Sequence, residues 1–316
     1  MKLPAFLLNE WMEGHRHVPL NLAGSRGPGW TLGDLLRLGD AKPDLERLTL
    51  GYAPSEGVGA LRSLIGEYLD VDPDWVVVTN GASEAFALAV TVLARPGGNI
   101  VLPQPSYPGF GGAPATSYLK VRSYRLARES RFQFDDEAVR DVVDSETTLV
   151  VANSPQNPTG GLLPRADAAL LAAGLGEQGI PLLVDEVFHP IYFDRDRPSC
   201  AGLENVIVIG DMSKALSLPG LRIGWVVDRD PVRRSEIATA RGYLSLGGSP
   251  LLEALAVHAL ENRAAILARA RAVATRNLAT LSQFMARVPD VLSWAPPQAG
   301  VLAFPWFVDG RDSRPF

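Results

Sequence analysis

The sequence predicts an α/β protein built on a mainly parallel sheet with helices on both faces. Three observations point there. Apolar runs of strand length, rich in β-branched residues, recur along the chain. Segments with helical patterning alternate with several of them, giving a βαβ rhythm. The runs are nearly continuous in apolar residues rather than alternating, as strands covered on both faces are.

Taken in order, residues 75–79 (WVVVT) read as a buried strand. A helix at 83–94 follows and stops at Pro96-Gly97-Gly98. Residues 99–103 (NIVLP) are the next strand. Three more are expected at 147–153 (TTLVVAN), 180–186 (IPLLVDE) and 205–211 (NVIVIGD), with an Ala/Leu-rich helix at about 163–175. From Ser249 to Arg287 the pattern is long and helical. Residues 299–307 (AGVLAFPWF) look like a strand opening a new layer. No internal repeat or low-complexity segment is present.

Composition narrows the function classes. The 316 residues suffice for one large domain, or one large and one small. Net charge is −5 with Lys and Arg scattered, so no basic face stands out for nucleic acid. No apolar run approaches the roughly 18 residues of a membrane span. The N-terminal apolar run is broken by Asn9 and Glu10 and does not read as a signal peptide. Cys200 is the only cysteine, which excludes an intrachain disulfide and suggests a cytoplasmic location. His15, His17, His189 and His258 are not joined by a cysteine or acidic cluster, so no metal site is expected. His189, just after Asp185, is the histidine expected nearest a site.

In doubly wound sheets, ligands bind beyond the carboxyl ends of the strands. Here each such end carries distinctive residues. Asn80-Gly81-Ala82-Ser83-Glu84 follows the first strand, and a segment with Tyr107 (QPSYPGF) follows the second. Then come SPQNPTGG with Asn157, the strand end at Asp185, and Asp211 leading to Lys214. Gly81-Ala82-Ser83, a glycine turn opening a helix, is an anion seat suited to phosphate, or Ser83 is an ordinary N-cap. Asp185 at a buried strand end needs either an arginine partner or a protonated ring nitrogen. Lys214 is either a surface lysine or a desolvated amine nucleophile. Arg222, between Gly220 and Gly224, can grip a phosphate in its fork. Neither a nucleotide P-loop nor a dinucleotide fingerprint is present.

Taken together, Asn157-Pro158-Thr159-Gly160, Asp185, Ser213-Lys214 and Gly220-Leu221-Arg222-Ile223-Gly224 resemble the class I/II aminotransferases, fold-type I enzymes that use pyridoxal 5'-phosphate (PLP). The intervals, 28 residues from Asn157 to Asp185 and 29 from there to Lys214, fit the family's order. The resemblance runs from about Asn21 to Phe304. It implies a mainly parallel seven-stranded sheet sandwiched by helices, and a smaller α+β domain that is incomplete at its C-terminus. The implied division is an N-terminal arm and part of the small domain at 1–45, a PLP-binding domain at 46–248, and an interdomain helix with the start of the small domain at 249–316.

By the same resemblance, Lys214 is the Schiff-base lysine and proton carrier, Asp185 the partner of the ring nitrogen, and Tyr107 the stacking aromatic. Asn157 resembles the residue bonding the ring 3-oxygen. Gly81, Ala82, Ser83 and Arg222 look like the phosphate cup, with Ser213 beside the lysine. Tyr52 is similar to a tyrosine that reaches the partner subunit's phosphate, which implies a homodimer. Residues 22–29 (LAGSRGPG) resemble the substrate loop.

The sequence departs from the family pattern in three places. Phe188 replaces a tyrosine that bonds the 3-oxygen, which implies a raised pKa for the internal Schiff base; Tyr192 is a candidate substitute. Asp211 replaces a serine that contacts phosphate. Arg311 and Arg314 come too early to be the arginine that grips the substrate carboxylate, so either the sequence is truncated, which is the expectation, or the substrate is gripped differently. The implied activity is transamination between an α-amino acid and a 2-oxo acid. The alternatives are a lyase or cyclase working through the same Cα carbanion, or a PLP-binding protein without activity.

Overall fold

The computed structural model describes residue 3 and residues 5–312; residues 1, 2, 4 and 313–316, Arg314 among them, lie outside it. Two short helices, α1 (Leu7–Gly14) and α2 (Leu32–Leu35), precede α3 (Gly59–Leu69). The sheet then begins with β1 (Val76–Thr79), followed by α4 (Ala82–Leu93) and β2 (Asn99–Gln104). Next come α5 (Gly112–Thr116), β3 (Lys120–Arg125), α6 (Asp136–Arg140) and β4 (Thr147–Asn153). Helix α7 (Arg165–Gly176) leads to β5 (Leu182–Asp185), β6 (Val206–Asp211) and β7 (Gly224–Asp228).

The seven strands form one sheet in the order β1-β7-β6-β5-β4-β2-β3. All neighbours run parallel except β7, which is antiparallel to both β1 and β6. The continuous apolar runs have a direct cause. Along β6, Val206 and Val208 face one core and Ile207 and Ile209 the other. Leu61 and Ile65 of α3 and Leu171 of α7 fill the first core; Ala85 and Leu88 of α4 fill the second. Neither face meets water, so neither can be polar.

Two strands of this sheet were not expected from the sequence. β3 (KVRSYR) is an edge strand, mostly exposed and carrying charge, as edges that resist further pairing do. β7 is short and sits directly behind the Arg222 segment, which masked it.

Beyond the sheet lie α8 (Pro231–Ser245), α9 (Pro250–Glu261) and α10 (Arg263–Met285). The helical pattern expected from 249 to 287 is thus two helices. Asn262 divides them, and its side-chain amide donates to the His258 carbonyl at 2.9 Å. The strand expected at 299–307 shrinks to β9 (Trp306–Phe307), paired with β8 (Leu292–Ser293). Gly300, at φ 82°, and Pro305, which has no N–H to donate, interrupt the rest. Among the described residues, no helix is long and apolar enough to cross a membrane, and no three His, Cys, Asp or Glu residues cluster as a metal site would need.

Candidate active site

The strand register assembles the site. Asn153 lies opposite Asp185 on neighbouring strands, and Gly224 lies opposite both Asp211 and Thr79. The ends of β4, β5 and β6 therefore meet the turn between β1 and α4. That turn is Asn80-Gly81, and Gly81 is the N-cap of α4 at φ 82°. Ser83 lies in the first turn, not at the cap. No side chain caps the helix, so its first N–H groups remain available to an anion.

Arg222 reaches the same turn. Its guanidinium donates to the Asn80 carbonyl at 3.2 Å and to the Pro219 carbonyl at 3.3 Å. Glycine is required on both sides of this contact. A Cβ on Gly81 would collide with Arg222 Nη2, and one on Gly224 would lie 2.5 Å from the Gly81 carbonyl carbon. Glu84 fixes the turn from the other side, accepting from Asn80 N at 2.5 Å and Asn80 Nδ2 at 3.2 Å.

Asp185 is buried, and its carboxylate accepts one hydrogen bond, from Val187 N at 3.0 Å. No salt bridge to an arginine is present among the described residues, which removes one of the two sequence readings. Burial pushes its pKa up to about 7; Asp211 and Glu186 add to this, while the Val187 N–H and Lys214 oppose it. A carboxylate held this way is short of a cationic partner.

Two loops close over it. Asn153 donates to the Asp185 carbonyl at 2.9 Å and accepts from Asn157 N at 2.6 Å. Gln156 donates to the Pro105 carbonyl at 2.8 Å, tying the Asn157 loop to the Tyr107 loop. Tyr107 is half-buried, edge-on to Phe6 and Phe110. Burial raises its hydroxyl pKa, with Asp185 and Asp211 adding to the effect and Arg222 opposing it.

Lys214 Nζ donates to Ser25 Oγ at 3.0 Å, so the 22–29 loop does touch the lysine. Burial lowers the ammonium pKa; Asp211 and Asp185 oppose this, while Arg222 and Arg26 reinforce it. The chain has four lysines, at 2, 42, 120 and 214. Lys42 and Lys120 are exposed, whereas Lys214 is partly buried beside carboxylates. The buried Asp211 accepts from Ser213 N at 2.9 Å, shaping the turn before the lysine.

The other expected residues differ in their surroundings. Tyr52 is 91% exposed. Phe188 is buried and offers no hydroxyl; the space at Gly300 is bounded by it and Pro155. Tyr192 does not replace the missing hydroxyl, because it pairs with His189 Nδ1 at 2.8 Å and lies near Glu186, Cys200 and Arg197. His189 is engaged there too, and not at the lysine. Asn153, Gln156, Glu84 and Ser25 were not assigned from sequence. Only Glu84, in the first turn of a helix, carried a local signal.

The family profile "Aminotransferase class I and II" matches residues 37–308. The chain belongs to the class I and II aminotransferase family. As a family member it is a fold-type I enzyme, and membership implies PLP. Capreomycidine synthase of Streptomyces vinaceus is 33% identical across 98% of this chain and 81% of its own length. Against several other curated relatives, aminotransferases among them, this family member spans half or less of their length. A solved PLP-dependent aminotransferase from Streptococcus suis superposes with a TM-score of 0.87 at 28% identity, covering 94% of this chain and 81% of that one. The solved PLP-dependent cyclase OrfR gives 0.85 at 28% identity, covering 98% and 82%.

Proposed function

We propose that this protein is a PLP-dependent enzyme that removes the Cα proton of an α-amino acid and directs the product to cyclisation or elimination. The observation that carries the chemistry is a half-buried lysine near a buried carboxylate that has no salt bridge among the described residues, beside an uncapped helix and an arginine. That set, with Tyr107 and Asn157, fits PLP in four places. The N–H groups of Ala82 and Ser83, with Arg222, would hold the phosphate against the Gly81 turn. Asp185 would hold the proton on the ring nitrogen, which supplies its missing partner. Tyr107 would stack on the ring, and Asn157 would bond the 3-oxygen. Bound PLP supplies an electron sink for negative charge at Cα. Lys214 would be the covalent anchor and would take and return the Cα proton; burial lowers its pKa, which favours the free amine that such a base needs.

The likeness to a capreomycidine synthase and to a cyclase, each across 98% of the chain, supports the cyclase or lyase outcome over transamination. Transamination is the second reading, supported by the family and by the superposed aminotransferase. The two outcomes separate in one assay. PLP-loaded protein is given a panel of α-amino acids, and products are followed by mass spectrometry together with the cofactor spectrum. A cyclised or eliminated product with the cofactor recovered as PLP is expected. A 2-oxo acid with matching conversion of cofactor to the pyridoxamine form would favour transamination.

A homodimer belongs to the same reading. Leu50, Tyr52, Tyr243, Leu244 and Leu246 are all exposed, more apolar surface than a solvated loop and helix end needs. Pairing across it would carry Tyr52 to the partner's phosphate. The whole seven-stranded sheet lies within 46–248, which supports the division into an arm at 1–45, a cofactor domain and a C-terminal part at 249–316.

A further inference from the structure

Arg241, on α8, is distant in sequence from every residue placed around Lys214, and it is fully buried. A buried guanidinium is costly unless its partners repay the loss of water. Its partners are informative. Nη1 donates to the Ser55 carbonyl, and Nε lies 3.8 Å from Glu84 Oε2. Nε and Nη2 make no hydrogen bond among the described residues, and neither does Oε1 of the fully buried Glu253. The arrangement is therefore poor as a stability device, because an apolar side chain of similar volume would avoid the desolvation cost.

Each contact leads to the phosphate end of the site. Glu84 is the residue that fixes Asn80, and the Asn80 carbonyl accepts from Arg222. Ser55 lies three residues beyond Tyr52, and Glu253 Oε2 accepts from Val58 N at 2.8 Å, holding the other end of the same loop. Glu84 also sits in the first turn of the helix whose N-terminus is free for an anion. An uncompensated carboxylate there would repel a phosphate, and a cation behind it removes that repulsion.

We infer that Arg241 is a positioning residue for phosphate recognition. It neutralises and orients Glu84, which sets the Asn80–Arg222 contact, and it anchors the loop carrying Tyr52. The inference rests on the PLP reading above, and the test keeps the two apart. Dissociation constants for PLP and for pyridoxal, which lacks the phosphate, are measured on wild type, Arg241→Gln and the double variant Arg241→Gln/Glu84→Gln. Both ligands use Lys214 and Asp185, so their affinity ratio isolates the phosphate end.

The expected result is about tenfold weaker PLP binding in Arg241→Gln with pyridoxal changed less than about twofold, partly restored in the double variant. Loss of both affinities by the same factor would reduce Arg241 to a structural role. An unchanged PLP-to-pyridoxal ratio in a folded variant overturns the inference as well. If Arg241→Gln does not fold, Arg241→Lys, which keeps the charge but not the fork, carries the test with an expected selective loss of about threefold. An unchanged ratio there would likewise overturn it. A wild type that does not prefer PLP to pyridoxal would overturn the PLP reading itself.

Discussion

Replacing Asp185 by asparagine should stabilise the cofactor-free protein above neutral pH, and the size of the gain follows from its burial. The carboxylate is 6% exposed and has one backbone donor. Its pKa rises from an ordinary 3.8 to about 7, first through burial and then through Asp211 and Glu186. A carboxylate whose folded pKa lies above its unfolded value costs nothing at low pH. The cost grows as pH rises from about 4 to about 7 and is constant above that. At ~1.4 kcal/mol per pH unit it reaches about 4 kcal/mol at pH 8 and about 2 kcal/mol at pH 5.

Asparagine keeps the shape and an acceptor for Val187 N but cannot ionise. Denaturant unfolding of cofactor-free wild type and Asp185→Asn at both pH values is the assay. The variant should gain more at pH 8 than at pH 5, by about 2 kcal/mol. Saturating PLP should stabilise wild type more than the variant, since the ring nitrogen supplies the partner. A stability difference that does not change with pH, or a variant less stable than wild type at pH 8, would refute the reasoning.

Three further outcomes are expected. Asp211→Ser should tighten PLP at pH 8 by about tenfold relative to pyridoxal, because a carboxylate leaves the phosphate end of the site; equal or weaker binding would show that Asp211 does not act on the phosphate. Phe188→Tyr should lower the pH midpoint of the visible cofactor band, since a new hydroxyl can bond the 3-oxygen; a lower midpoint in wild type contradicts this. Leu244→Asp should convert a dimer to a monomer by light scattering, and a monomeric wild type would remove the dimer reading.

Much of the sheet was legible because its physics is local. Strand 147–153 has the same bounds in sequence and structure, since every residue in it is buried. β3 was not legible, because an edge strand needs no apolar run. The site's ordered set was legible because its groups cluster at strand ends, where Asp185 and Lys214 stand out chemically. Their support was not. Asn153 holding Asn157, Ser25 touching Lys214 and Arg241 behind Glu84 depend on contacts that no local pattern announces. Tyr192 shows the converse: proximity in sequence suggested a ring-facing hydroxyl, and the chain turns it toward His189.

The central claim is that Lys214 is the covalent anchor of PLP, and the scarcity of lysines makes it directly measurable. PLP-loaded protein is reduced with borohydride, digested, and its labelled peptide sequenced by mass spectrometry. A single phosphopyridoxyl group on Lys214, absent in Lys214→Ala, is the expected result. Label on the exposed Lys42 or Lys120, or no label on a protein that retains PLP, would contradict it.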